Sequence, residues 1–82
     1  MRYIIKITLR SETFYLKEVI FTNIEQDNTV ALFSHDCRDA LKILHKGLAE
    51  QLKRVVIKYW GGVCKEKNAK VEIETTNGSW YL

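Results

Sequence analysis

Apolar residues along this chain follow two rhythms. Tyr3, Ile5, Ile7 and Leu9 point one way, and Ile4, Lys6 and Thr8 the other. That is the period of two expected of a strand with one buried face. After a polar break at 10–13, residues 14–22 are again rich in aromatic and β-branched side chains, which predicts a hairpin. Lys17-Glu18 interrupts the alternation, and a bulge or twist is expected there. The polar stretch 23–29 reads as a loop. Val30-Ala31-Leu32-Phe33 reads as a third strand that pairs back on the second.

The rhythm then changes. Ser34 is a helix-capping residue type, and Asp36 suits the positive end of a helix. Cys37, Leu41, Leu44, Leu48 and Leu52 recur at spacings of four, three, four and four. This predicts one helix running to about Lys53, with Ala40 widening its apolar stripe. Gly47 inside it costs about 1 kcal/mol relative to alanine. Val55 to Trp60 reads as a strand loosened by Gly61-Gly62, with Val63 and Cys64 extending it beyond a bulge. Val71, Ile73 and Thr75 alternate with polar residues, and Asn77-Gly78 is a hairpin signal. Ser79-Trp80-Tyr81-Leu82 would pair back as a short last strand. The expected fold is α+β, a mostly antiparallel sheet of five or six strands with one helix on one face, in the order β-β-β-α-β-β. Residues 1–82 form a single domain, because 82 residues leave room for one core only.

Composition narrows the class. A hydrophobic content of 46% excludes a disordered chain. No apolar run is long enough for a membrane helix, and the charged, uncleavable start argues against a secretory signal. Two cysteines, Cys37 and Cys64, are too few for a disulfide scaffold. A cytoplasmic protein with reduced thiols is expected.

Catalytic chemistry finds no support in the spacing of residues. The run Ser34-His35-Asp36-Cys37-Arg38-Asp39 mixes nucleophile and base types, but His35 and Cys37 on one helix would diverge by about 200°. Cys37 is expected to be a buried small apolar residue. No zinc-ligand spacing joins the histidines and cysteines, and no phosphate-binding glycine frame is present. No catalytic residue, metal or cofactor is expected.

Charge is more informative. The formal net charge of +3 is concentrated in residues 35–70, which hold nine basic and four acidic side chains. Arg38, Lys42 and Lys46 lie four apart, a basic ridge if the segment is helical, and Lys65, Lys67 and Lys70 cluster at a turn. With Tyr59, Trp60, Trp80 or Tyr81 for stacking, such a surface suits nucleic acid phosphates and bases. The competing reading is an ordinary solvated face. Trp80-Tyr81-Leu82 and Tyr59-Trp60 carry more aromatic surface than one helix can cover. Tyr and Trp anchor protein interfaces, so these four aromatics are the candidate contacts for a partner protein or a second copy of the chain.

Phe14-Tyr15-Leu16-Lys17, Ala31-Leu32-Phe33-Ser34 and Asp39-Ala40-Leu41-Lys42-Ile43-Leu44 together resemble a pattern in small α/β proteins of phages and mobile elements. Some of these inhibit host defence, anti-CRISPR proteins among them. The resemblance spans residues 14–44. It implies a non-enzymatic inhibitor that occludes a larger protein or ribonucleoprotein in the host cytoplasm. Many such inhibitors are acidic DNA mimics, and the basic character of this chain argues against that mode. The expectation is therefore a binding protein, with nucleic-acid binding as the alternative.

Overall fold

The computed structural model describes residues 2–23, 28–63, 65 and 68–76, with main chain only at 21–23, 28–29 and 63. Four strands, β1 (Arg2–Leu9), β2 (Glu12–Asn23), β3 (Asn28–Ser34) and β4 (Lys70–Thr76), form an antiparallel sheet in the order β3-β2-β1-β4. One helix, α1 (Lys46–Lys58), packs against it and runs into a π-helical turn, Tyr59–Val63. The class is α+β.

Alternation in β1 places Ile5 and Ile7 on one face, while Ile4 on the other face is buried as well. Ile5 lies opposite Ile73 and Ile7 opposite Val71 and Phe14 on the face that meets the helix. Ile5, Ile7 and Leu16 are fully buried there, with Ala49 and Val56 of α1 closing over them. Fully burying each such aliphatic side chain contributes about 1.5–3 kcal/mol. On the opposite face, Lys6 pairs with Glu74 at 3.2 Å.

The expected bulge is present at Lys17. Leu16 pairs with Phe33 and Glu18 with Leu32, so one residue of β2 has no counterpart. The extra residue reverses the parity of the strand. Glu18 and Ile20 thereby face outward while Val19 returns to the core.

Beyond the bulge β2 leaves β1. Pairing between them stops at Lys6–Tyr15, and the chain after β3 fills the gap. The Leu41 N–H donates to the Leu16 carbonyl at 2.8 Å, and Ile43 exchanges two 2.8 Å hydrogen bonds with Tyr3. Ala40 and Ile43 are buried in this seam. The distal part of the β2–β3 hairpin is thus an arm branching from the sheet.

The seam explains where the predicted helix fails. Ser34 and Asp36 do cap a turn, but it is a 3₁₀ turn of three residues, Cys37–Asp39, closed by an extended Ala40. Hydrogen bonds from Leu41 and Ile43 to the two strands displace the helical ones. The helix begins only at Lys46, so Gly47 lies in its first turn. Leu44 and Leu48, assigned to the buried stripe, are exposed. Val55 to Trp60, expected as a strand, continues the helix, because Ala49, Leu52, Val56, Tyr59 and Trp60 keep a three-to-four-residue period against the core. Ser79–Leu82 and the Asn77-Gly78 turn lie outside the described residues, as does Cys64.

Candidate interaction surface

Two aromatics proposed as partner contacts are engaged within the molecule. The π turn swings Tyr59 and Trp60 under the start of the sheet. The Trp60 ring lies 5.2 Å from Phe33 and 6.1 Å from Phe14 between centroids, and Tyr59 lies 5.9 Å from Phe33. These spacings fall in the favourable range for tilted aromatic pairs. Both rings are half-buried, and the Trp60 Nε1 is enclosed with no hydrogen-bond partner among the described residues. Tyr59 and Trp60 therefore belong to the core margin rather than to a free surface. Trp80 and Tyr81 lie outside the described residues.

The basic ridge is not assembled as expected, since Arg38, Lys42 and Lys46 occupy three different local structures. Arg38 sits in the 3₁₀ turn and is clamped by Asp36, Nη2 to Oδ2 at 2.9 Å, with Nε shared between both carboxylate oxygens. The same carboxylate accepts from the Arg38 backbone N–H. These bonds, side-chain first, hold the Asp36 carboxyl below its ordinary pKa and raise that of Arg38. Lys42 donates to the Arg38 carbonyl at 2.6 Å. Lys46 is exposed at the helix start. Of the second cluster, Lys65 is exposed with a positive φ of 57°. Lys70 pairs with Glu72 at 3.5 Å on β4, and Lys67 lies outside the described residues. The outer surface of α1 is where basic charge does gather, with Lys46, Lys53, Arg54 and Lys58 against Glu50. The unbroken helical period through Val56 would have located that surface from the sequence.

The 34–39 run is a hydrogen-bonded turn tied to β2 through His35. Ser34 Oγ donates to Asp39 Oδ2 at 2.8 Å and accepts from the Asp36 N–H. The His35 ring lies 4.3 Å from Phe14 and its Nδ1 is 3.0 Å from the Thr13 carbonyl oxygen. Cys37 is a free, half-buried thiol rather than a fully buried one. Among the described residues, no three His, Cys, Asp or Glu side chains come together as a metal group. No helix of the described residues is long and apolar enough to cross a membrane.

A surface that the sequence reading passed over lies on the arm. Ile20 pairs with Val30, and Leu32 pairs with Glu18, on the face turned away from α1. Ile20, Val30 and Leu32 are each 38–39% exposed. Three aliphatic side chains side by side on an edge hairpin form a contiguous apolar patch. The signal was available in the alternation of Val30 and Leu32 with Ala31 and Phe33, once the bulge had assigned the faces.

No protein-family model, curated protein or solved structure matches this chain.

Proposed function

We propose that this chain is a small non-enzymatic binding protein, an inhibitor of the anti-defence kind that its sequence resembles, acting by occluding a larger protein. The observation that carries the reading is the apolar patch of Ile20, Val30 and Leu32 on a hairpin arm that leaves the body of the sheet. An arm presents its residues to a partner without opening the core, and aliphatic surface left in water favours burial by association. The test compares tagged wild-type chain with an Ile20→Lys/Leu32→Lys variant as bait in host lysate. A protein held by the wild type and reduced at least about tenfold in the variant, a difference of 1.4 kcal/mol, supports the reading. Equal capture, or no protein above background, overturns it.

A second reading, nucleic-acid binding, is favoured by a different observation. The outer surface of α1 carries four basic side chains against one acidic. Phosphate contacts of this kind weaken steeply with salt. A mobility shift at about 50 mM salt that is lost in a Lys53→Glu/Arg54→Glu variant supports this reading, and no shift disposes of it.

A further inference from the structure

Among the described residues the two edges of the sheet are built differently. β4 carries Lys70, Glu72 and Glu74 on alternate positions, and charge on an edge strand opposes pairing with another strand. β3 is the other edge, and its seven residues, Asn28–Ser34, include no charge and no proline. Its bulges lie on β2, not on the outer strand. Among the described residues no strand pairs with β3 on its outer side.

We infer that β3 pairs antiparallel with β3 of a second copy, in the register centred on Ala31. A two-fold axis normal to the sheet places residues of like parity opposite one another, which leaves few registers to compare. Centring on Ala31 sets Val30 beside the second copy's Leu32 and Leu32 beside its Val30. Both aliphatic residues then gain an aliphatic cross-strand neighbour, a favourable arrangement. On the core face Ala31 meets its own counterpart, and two methyl groups let the backbones approach to the usual strand spacing. Centring one residue earlier or later leaves either Leu32 or Val30 opposite Asn28 or Ser34. The charges of β2 nearest the pairing are Lys17 and Glu18. They are separated from their counterparts by three strand spacings, about 14 Å, beyond the screening length of about 8 Å at physiological salt. The second copy also extends the Ile20–Val30–Leu32 patch into one surface on the same face of a doubled sheet. The pairing does not depend on the partner proposed above.

Seven residues of edge bury little area, which places the contact in the weak, concentration-dependent class. The full chain is studied by sedimentation equilibrium from about 1 µM to about 1 mM, the range that weak association spans. The expected result is a mass rising from 9.6 kDa toward twice that value. Amide exchange on the wild-type chain adds a readout that needs no variant: β3 amides slow at least about threefold at the higher concentration, while β4 amides keep their rates. A Val30→Lys/Leu32→Lys chain with unchanged circular dichroism stays monomeric throughout. A wild-type mass fixed at 9.6 kDa overturns the inference. So does a dimer that survives the double substitution, or one in which β3 exchange does not change. A monomer that still captures its partner through the patch overturns the pairing alone, and a dimer that captures nothing overturns the occlusion reading alone.

Discussion

Arg10 is held at φ 58° in the two-residue turn between Leu9 and Glu12. A residue with a Cβ pays about 1–2 kcal/mol in that left-handed region, and glycine does not. Part of the difference is offset by the greater freedom of glycine in the unfolded chain. Arg10→Gly is therefore expected to stabilise the protein by about 0.5–1 kcal/mol, seen as a higher urea midpoint with an unchanged slope. Asp36 offers a second test at this scale. Its carboxylate is favoured by hydrogen bonds from Arg38, so its folded pKa lies below the unfolded one. The resulting stabilisation is present above the ordinary aspartate range and is lost as pH falls through the depressed value. Arg38→Ala is expected to raise the Asp36 midpoint in a carbon-detected NMR titration, and to flatten the acid limb of stability against pH.

Among elements, α1 is the one whose identity was contested by its own sequence. Val55-Val56-Ile57 carries the β-branched composition of a strand, yet Val56 is fully buried and Ile57 is 50% exposed. Consecutive residues on a helix point 100° apart, and the core lies on one side only. Val56→Ala is expected to cost about 2 kcal/mol, as deleting two buried methyl groups does. Ile57→Ala should stay within about 0.5 kcal/mol, the usual range at exposed positions. Chemical denaturation of the two variants distinguishes them.

β1, β2, β3 and β4 were legible because period-two alternation is local. The bulge at Lys17 was legible too, as a break in that alternation. The seam was not. Whether residues 37–45 form a helix is decided by hydrogen bonds to Tyr3 and Leu16, far away in sequence, and a capping motif at Ser34 and Asp36 reads the same whether one turn follows or five. Misplacing the helix misplaced the basic ridge with it. It also assigned Tyr59 and Trp60 to a strand surface instead of the aromatic margin of the core.

For the whole molecule, the side chains packed under α1 and the exposed aliphatic residues of the arm lie on opposite faces of the sheet. Side chains that meet α1 are buried, and the arm presents its apolar residues on the other side. Substitutions on the arm should therefore separate folding from binding. Ile20→Lys/Leu32→Lys is expected to change folding free energy by less than about 1 kcal/mol, two exposed-site effects added. Thermal or urea unfolding of the variant used in the binding experiment checks this.

β1 lies between β2 and β4, and the residues that complete it arrive last. Tyr3 waits for Ile43 on one side and for Thr75 on the other. A ribosome emitting this chain at about 5–20 residues per second releases the first strand seconds before its outer neighbour exists. Until then the β1–β2 hairpin has an open flank, although α1, which covers the isoleucines of β1, is made before β4. The β1–β2 and β2–β3 pairs join strands consecutive in sequence, whereas the β1–β4 pair must wait. The flank of β1 closes only once β4 has been made.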